Sequence, residues 1–336
     1  MNNVAQVAVI GSGYWGKNLV RNFASLNALG TICDSDEVQL NNQLRLYPGV
    51  RGTTSFEQVL EDPALGAIVI ATPAARHYEH VGLALRAGKD VFCEKPLALH
   101  YTAGRELADL AASEGRILMV GHVLEYHPAV VLLKNLVREG ELGALRYIYS
   151  NRLNLGKVRT EENILWSFAP HDISVICTLA DSLPIVVSAS GGSYLQADVC
   201  DVTVSNLQFD GGVRAHIFVS WLHPYKEQRM VVIGDRKMAV FDDTAVDAKL
   251  RVYDKGIEWR LGQPIPRQTG ETTLFFDQSE PLRLECEHFL DCIHTRREPT
   301  TNSDNALRVL KVLEASQASL DRGGIPIAVS SIGTET

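Results

Sequence analysis

A glycine-rich loop near the N-terminus constrains the fold of this chain more than any other feature. Residues 11–16 form a GxGxxG pattern that directly follows the β-branched run at 7–10 and precedes a helix-like stretch at 17–29. A buried strand, a tight glycine turn and a helix make up a dinucleotide-binding βαβ unit, because the glycines let the backbone approach a pyrophosphate. The loop residues predicted to contact the dinucleotide are Gly11, Gly13, Tyr14, Trp15 and Gly16.

Strand-like and helix-like segments alternate through the first third of the chain. Further strands are expected at 31–34, 67–71, 90–93 and 117–120, and helices at 55–62, 77–87 and 102–114. Strands that alternate with helices in units this short predict an α/β fold with a Rossmann doubly wound parallel sheet.

The pattern changes after Gly121. Residues 124–140 indicate one helix, and strand-like alternation then dominates from 146 to 253, which predicts a second α+β domain with a large, mostly antiparallel sheet. Residues 262–277 are rich in Pro, Gln and Thr and indicate a long loop, with helices expected at 282–295 and 303–321. The expected division is a dinucleotide-binding domain at 1–122 and a second α+β domain at 123–336.

An acidic residue at the end of the second strand indicates which dinucleotide binds. A carboxylate at Asp34 accepts the ribose hydroxyls and repels a 2′-phosphate, and Asp36 and Glu37 add negative charge nearby. The cofactor is therefore predicted to be NAD rather than NADP. The alternative for Asp34 is a strand-end residue that caps a turn.

Composition excludes several classes of partner. The net charge of -8 argues against nucleic acid or an anionic membrane surface as the main partner. The six cysteines are scattered without metal-ligand spacing, so buried, reduced thiols and no metal are expected. The N-terminal residues lack the pattern of a signal peptide, and no apolar run approaches the ~20 residues that span a bilayer. A soluble, cytoplasmic protein without a membrane partner is expected.

Two further strand ends carry polar residues toward the predicted dinucleotide. Thr72 and Pro73 follow one strand, with His77 just beyond, and Glu94 and Lys95 end the next strand before a proline. Ligands bind at the carboxyl ends of the strands in such sheets. All five residues are therefore predicted to contact the cofactor, although a lone strand-end lysine is usually a solvated charge.

Together with Ala169-Pro170-His171-Asp172-Ile173, these motifs resemble the Gfo/Idh/MocA family of oxidoreductases over the whole chain. The resemblance implies that Lys95 and His171 are the catalytic pair at a sugar hydroxyl, and that the peptide before the proline is often cis. An imidazole can take the hydroxyl proton and an ammonium can stabilise developing charge, so His171 is the preferred base, with Lys95 as the alternative. Family members often carry Asp where this chain has Ser167, and a purely structural His171 at a helix start remains open.

Within that family, residues 121–128, 151–156 and 220–224 are similar to the UDP-N-acetylglucosaminuronate 3-dehydrogenases. Arginine forks suit the diphosphate and carboxylate of such a substrate, although each charge alone could be solvated. Trp166 is expected either to line the sugar pocket or to be a core residue. The candidate substrate-binding residues are Lys95, Glu125, Arg152, Asn154, Lys157, Arg159, His171 and Arg229.

These observations predict NAD-dependent oxidation of the C3 hydroxyl of UDP-N-acetylglucosaminuronic acid (UDP-GlcNAcA) to the 3-keto sugar, in nucleotide-sugar synthesis for surface lipopolysaccharide. The alternatives are a related dehydrogenase for a free sugar, an inositol or an amino sugar, and a non-catalytic NAD-binding sensor. The resemblance also implies a homodimer or homotetramer, formed through the second domain's sheet, and 2-oxoglutarate as a possible oxidant of NADH.

Overall fold

The computed structural model describes residues 6–156, 158–160 and 162–334. It separates into two compact units, each built from two stretches of chain. Unit 1 contains Met1–Tyr126 and Ser279–Leu310, and unit 2 contains His127–Gln278 and Lys311–Thr336. Among the described residues, no helix is long and apolar enough to cross a membrane.

Unit 1 is built on a parallel sheet with the order β3-β2-β1-β4-β5-β6. Its strands are β1 (Val7–Ile10), β2 (Leu29–Cys33), β3 (Arg51–Thr53), β4 (Ala67–Ile70), β5 (Asp90–Glu94) and β6 (Leu118–Gly121). Its first helices are α1 (Gly16–Ser25), α2 (Glu37–Leu46), α3 (Phe56–Glu61), α4 (His77–Arg86) and α5 (Tyr101–Ser113). The strand order reverses between β1 and β4, the point at which such sheets open a ligand crevice. The predicted Rossmann fold is confirmed.

Unit 2 is built on a mostly antiparallel sheet with the order β14-β13-β12-β11-β7-β10-β9-β8-β15, in which β7 and β10 run parallel. Its strands are β7 (Leu145–Leu153), β8 (Val186–Gly192), β9 (Val202–Gln208), β10 (Arg214–Ser220), β11 (Glu227–Gly234), β12 (Met238–Asp242), β13 (Leu250–Arg260), β14 (Gln263–Leu274) and β15 (Ile327–Ala328). Helix α6 (Pro128–Arg138) precedes the sheet, and α7 (Ile164–Leu179) packs against β7, β9 and β10. The predicted large antiparallel sheet is confirmed.

The last two long helices are α8 (Pro281–Thr295) and α9 (Ser303–Asp321), close to their predicted bounds. Helix α8 belongs to unit 1, where the Phe289 ring lies 6.4 Å from that of Phe23 and 5.7 Å from that of Phe92. All three side chains are fully buried. The division therefore differs from the expected one at 122/123, because the apolar face of α8 completes the core of unit 1.

Residues 262–277 do not form the predicted loop. Most of them form strand β14, which pairs with β13 in an antiparallel ladder where Pro264 lies opposite Trp259 and Pro266 opposite Ile257. Strand β14 lies at one edge of the sheet. An edge strand tolerates proline because an N–H on its outer side has no ladder partner to lose. The composition that indicated a loop is equally compatible with an edge strand.

The single helix predicted at 124–140 is two elements. Val123–Tyr126 forms one 3-10 turn, and α6 begins at Pro128 after His127, whose side chain accepts a hydrogen bond from the Ala129 N–H at 3.1 Å. Proline is favoured in the first turn of a helix because it lacks the backbone N–H, which would have no partner within the helix there. The chain therefore leaves unit 1 and enters unit 2 at a capped helix start.

Candidate functional site

The glycine loop after β1 has the geometry of a pyrophosphate cradle. Gly11 has a φ of +86°, and a Cβ atom on Gly16 would lie 1.9 Å from the Gly11 carbonyl oxygen, so both positions require glycine. A Cβ atom on Gly13 would meet nothing within 4 Å. The loop thus packs tightly on its own backbone and leaves open space beside Gly13, next to the first residue of α1. A pyrophosphate fits this arrangement.

Asp34 holds this loop in place and also ends β2 at the expected position. Its Oδ2 atom accepts hydrogen bonds from the Ser12 N–H at 2.7 Å and from the Ser12 hydroxyl at 2.8 Å, and its Oδ1 atom accepts one from the Asp36 N–H at 3.0 Å. The carboxylate therefore makes the turn contact considered as an alternative. It is half-buried beside the glycine loop, and its remaining lone pairs suit ribose hydroxyls.

The ends of β4 and β5 are joined by His77, which is 1% exposed. Its Nε2 atom lies 2.9 Å from the Thr72 carbonyl oxygen and its Nδ1 atom 2.7 Å from the Pro96 carbonyl oxygen. Both nitrogens therefore face backbone carbonyl groups of the loops that follow the two strands. The Lys95–Pro96 peptide is cis, as the family resemblance implied.

Glu94 binds the glycine loop through a side chain. Its Oε1 atom accepts a hydrogen bond from the indole N–H of Trp15 at 2.5 Å. Burial raises the pKa of Glu94 to about 7, and the Trp15 hydrogen bond and the Lys95 ammonium only partly oppose that shift. Glu94 thus reaches the cofactor loop by holding Trp15.

A second buried carboxyl group, Glu285 on α8, lies in the same unit. Glu285 is fully buried, and neither of its carboxyl oxygens has a hydrogen-bond partner within the described residues. Burial and, to a smaller degree, the charge of Glu94 raise its pKa well above the usual range. Sequence analysis missed this residue, because a single Glu in an amphipathic helix carries no sign of burial.

The end of β6 contributes two buried polar residues, His122 and Glu125. The His122 Nδ1 atom lies 2.7 Å from Oδ1 of Asn305, and burial lowers the pKa of His122 to about 4. Because the amide oxygen only accepts, the neutral ring carries its proton on Nδ1. Glu94 pairs with Gly121 across the β5–β6 ladder, so Lys95 and His122 follow neighbouring strand positions. Glu125, a predicted substrate residue, is 2% exposed.

His171 lies in the middle of α7 rather than at a helix start. The helix begins after Asn163, whose side chain accepts a hydrogen bond from the Trp166 N–H at 3.2 Å, and Pro170 lies inside it. His171 is therefore not at a helix start, the position that the structural alternative assumed. Ser167, one turn earlier, is 3% exposed.

Asp172, next to His171, is hydrogen-bonded to side chains of strand β7. It is 2% exposed and accepts hydrogen bonds from the Ser150 hydroxyl at 2.6 Å and from Arg152 Nε at 2.8 Å. A second guanidinium nitrogen of Arg152 lies 3.2 Å from its other oxygen, which makes the pair bidentate. Asp172 therefore holds β7 against α7 and does not take the place of the acid missing at Ser167.

The predicted cations of unit 2 are separated by the sheet. Ser150 and Arg152 contact α7, and because side chains alternate along a strand, Asn151 faces the other way. Arg229 pairs with Asn151 across the ladder, so it lies on the face opposite α7, where its Nη2 atom is 2.8 Å from Asp242. The structure therefore does not bring Arg229 to the His171 side.

The remaining predicted substrate residues lie just after β7. The Asn154 N–H donates to the Ser220 carbonyl oxygen at 3.0 Å, and Arg159 pairs with Glu162 at 3.1 Å. Lys157 lies outside the described residues. Trp166 is 9% exposed and donates to the Gln317 side chain at 3.1 Å, as a core residue would.

All six cysteines, each in the described part of the chain, are free thiols, and five of them are buried, as expected. No group of three or more His, Cys, Asp or Glu side chains in the described residues could hold a metal ion.

A parallel sheet whose strand order reverses between β1 and β4, a tightly packed glycine loop and an acid at the end of β2 are the features of a dinucleotide-binding unit. Family models agree: residues 5–122 match the oxidoreductase family with an NAD-binding Rossmann fold, and residues 130–240 match the GFO/IDH/MocA C-terminal domain. The chain belongs to the Gfo/Idh/MocA family. The predicted NAD cofactor and dehydrogenase class are confirmed.

Relatives with known names match nearly the whole chain. It is 25% identical to UDP-N-acetylglucosamine 3-dehydrogenase from Acidithiobacillus ferrooxidans, over 94% of this chain and 99% of the relative. It is 26% identical to scyllo-inositol 2-dehydrogenase (NAD(+)) from Bacillus subtilis, over 97% of each chain. A solved structure of the Acidithiobacillus ferrooxidans enzyme superposes with a TM-score of 0.83, at 23% identity, over 94% of this chain and 97% of that one.

Proposed function

We propose that this protein oxidises the C3 hydroxyl of a UDP-linked N-acetylhexosamine sugar, with NAD as hydride acceptor. The observation that carries the proposal is the full-length similarity to a UDP-N-acetylglucosamine 3-dehydrogenase, 99% of which is covered. An NAD cradle with Lys95 at the carboxyl edge of the same sheet supports it.

Two substrates are the candidates. UDP-GlcNAcA is the one expected from sequence, since it carries a carboxylate for which several arginines were assigned. Two of those arginines are paired within the protein, Arg152 with Asp172 and Arg229 with Asp242. That observation favours UDP-N-acetylglucosamine, which lacks the carboxylate, as the second candidate.

The chemistry proposed for the protein's own residues is proton transfer and charge stabilisation. NAD held at the glycine loop of residues 11–16 would supply the acceptor for the hydride that leaves C3. His171 removes the hydroxyl proton, so that the C3–O bond becomes a carbonyl, and the Lys95 ammonium stabilises the charge that develops on the oxygen. The reverse assignment, with Lys95 as base, remains the alternative. The 3-keto product carries the carbonyl that a transaminase would convert to an amine in the synthesis of a surface polysaccharide.

Steady-state assays with a panel of sugars test the substrate. NADH formation at 340 nm is followed with UDP-GlcNAcA, UDP-N-acetylglucosamine, free N-acetylglucosamine, glucose and an inositol. We expect turnover with a UDP-sugar, and the ratio of kcat/KM between the two UDP-sugars identifies the substrate. Turnover of only the free sugars or the inositol would overturn the proposal. If no alcohol led to NADH formation while the protein still bound NAD, the result would favour the non-catalytic sensor.

Variants at the proposed catalytic residues test their roles. We expect Lys95→Met and His171→Asn each to lower kcat by about a hundredfold or more while NAD affinity changes little, since neither residue lies in the glycine cradle. The pH profile of kcat/KM identifies the base, because the variant that lacks it loses the acidic limb. Undiminished turnover in Lys95→Met would refute its role.

Two partners remain part of the proposal. A homodimer or homotetramer would cover the sheet face opposite α7, where the rings of Tyr149 and His216 stack at 5.3 Å between centroids. Light scattering coupled to size-exclusion chromatography tests this, and a monomer at micromolar concentration would contradict it. Reoxidation of bound NADH by 2-oxoglutarate is tested by adding it to the reduced protein and following the loss of absorbance at 340 nm.

A further inference from the structure

His77 joins two loops that separate strands carry to the same edge of the sheet. Thr72 follows β4 and Pro96 follows β5, and the two strands are parallel neighbours. The His77 ring lies 2.9 Å from one carbonyl oxygen and 2.7 Å from the other, and it is 1% exposed. The contact to Pro96 lies one residue beyond Lys95, so the ring holds the backbone on which the Lys95 side chain stands.

The bridge depends on the chemistry of an imidazole ring. Carbonyl oxygens only accept hydrogen bonds, so each contact requires a proton on the ring nitrogen that faces it. A neutral ring has one N–H and donates to one of the two oxygens, whereas an imidazolium donates to both from one rigid plane. An aliphatic side chain supplies none, and a side-chain amide donates from a single nitrogen rather than from two nitrogens on opposite sides of a ring.

The other histidine of α4 has a different role. The Nδ1 atom of His80 lies 3.2 Å from the Thr72 hydroxyl, and its ring packs on Phe56 at 4.8 Å between centroids. It contacts the side chain of Thr72 and, in its described contacts, does not reach the loop after β5. The link between the two strand ends is therefore specific to His77.

We propose that His77 is a positioning residue for Lys95 and does not contact the cofactor. This inference rests on the proposed function in one respect, namely that Lys95 acts on the substrate hydroxyl. By fixing the loop after β5 to the loop after β4, His77 holds the Lys95 amine where the reaction needs it. Small displacements of a reacting group lower the rate of the chemical step strongly and affect ground-state binding much less.

Three variants and one matched control test the proposal. His77→Leu removes both contacts, while His77→Asn and His77→Gln each keep one amide nitrogen as a donor group. His288→Leu is the control: this half-buried histidine of α8 accepts a hydrogen bond from the Thr300 N–H at 3.0 Å and belongs to neither of the two loops that His77 joins. Each protein is assayed for kcat, KM, the dissociation constant of NAD and the reactivity of Lys95 toward acetic anhydride, measured by peptide mass spectrometry with Lys17 as internal reference.

We expect His77→Leu to lower kcat by about 10- to 100-fold while the NAD dissociation constant stays within about threefold. Acetylation of Lys95 relative to Lys17 should accelerate by at least about threefold, because the loop that carries Lys95 is released. At least one of the amide variants should recover part of kcat. His288→Leu should lose thermal stability without a change in kcat or in Lys95 labelling.

Two results would overturn the proposal. One is unchanged kcat and unchanged Lys95 labelling in His77→Leu, or in both amide variants if the leucine variant does not fold. The other is an NAD dissociation constant that rises by the same factor as kcat falls, which would make His77 a cofactor contact. The labelling readout needs no substrate, so it decides the positioning role even if the sugar assays show that the proposed function is wrong.

Discussion

At the residue scale, Glu94 carries a pH dependence that can be measured without any substrate. Burial raises its pKa from 4.5 to about 7, so the folded protein holds a proton there that the unfolded chain has already lost. Folding stability therefore falls as the pH rises between these two values, by roughly 3 kcal/mol in total. Below pH 4.5 this effect is absent, because both states are protonated.

Glu94→Gln should remove this loss and keep an oxygen that can accept from the Trp15 indole N–H. We expect the variant to gain stability relative to the natural protein between pH 5 and pH 8, measured as the free energy of unfolding in urea without NAD. The matched control is Glu61→Gln, an exposed residue of α3 that should show no such trend. If the free energies of unfolding of Glu94→Gln and of the natural protein changed with pH in the same way, the pKa of the Glu94 carboxyl group would not be raised.

At the element scale, two glycines of the loop before α1 are needed for different reasons. Gly16 is needed for the packing of the loop, and Gly13 is needed for the binding of NAD. Gly16→Ala would place a Cβ atom 1.9 Å from the Gly11 carbonyl oxygen, so it should displace the loop, destabilise unit 1 and abolish NAD binding. Gly13→Ala meets no protein atom within 4 Å, so it should fold normally and weaken NAD binding alone. Gly66→Ala, also without a neighbour within 4 Å, is the control. Calorimetric titration with NAD and thermal unfolding distinguish the three, and tight binding by Gly16→Ala would contradict the cradle.

Helix α7 and strand β7 depend on the buried pair of Asp172 and Arg152. Asp172→Asn leaves the guanidinium buried without its counter-charge, which costs about 3–5 kcal/mol when one partner of a buried pair is lost. Glu162→Gln breaks the more exposed pair with Arg159 and should cost less than about 1 kcal/mol. Unfolding in urea measures both. If Asp172→Asn and Glu162→Gln lowered the free energy of unfolding by the same small amount, Arg152 would be available to a ligand, as the sequence had indicated.

At the scale of the whole molecule, the chain returns to unit 1 after completing most of unit 2. A polypeptide of residues 1–126 lacks α8, so Phe23 and Phe92 lose Phe289 as their packing partner. We expect it to unfold without a cooperative transition, whereas residues 1–126 joined by a flexible linker to residues 279–310 should fold and bind NAD. Circular dichroism and NAD titration measure both. Cooperative unfolding of the shorter polypeptide would show that α8 is dispensable.

Local patterns were sufficient to predict most of unit 1 and its cofactor. The glycine loop and the acid at Asp34 depend on neighbours in sequence, and parallel strands bring their carboxyl ends to one edge by topology alone. Lys95 was therefore placed correctly at that edge without coordinates. The bounds of α4, with Gly88 at a φ of +73° after its end, were predictable for the same reason.

Features that depend on distant residues could not be predicted in this way. Composition does not reveal that an edge position would make β14 a strand, nor that α8 would pack on β5 rather than continue unit 2. Charge pairing is equally non-local: Arg152 was assigned to a ligand because Asp172 is twenty residues away in sequence but 2.8 Å away in the fold.

The sequence by itself determined the dinucleotide fold and the choice of NAD, because both depend on short-range geometry of glycines, strand ends and one acid, and its motifs were sufficient for the family resemblance. Only the tertiary structure decided which polar side chains form hydrogen bonds or ion pairs with other groups of the protein. His77, Glu94 and Arg152 were all assigned to ligands, and each is held by a protein partner, since a buried polar group that lacks a partner costs free energy.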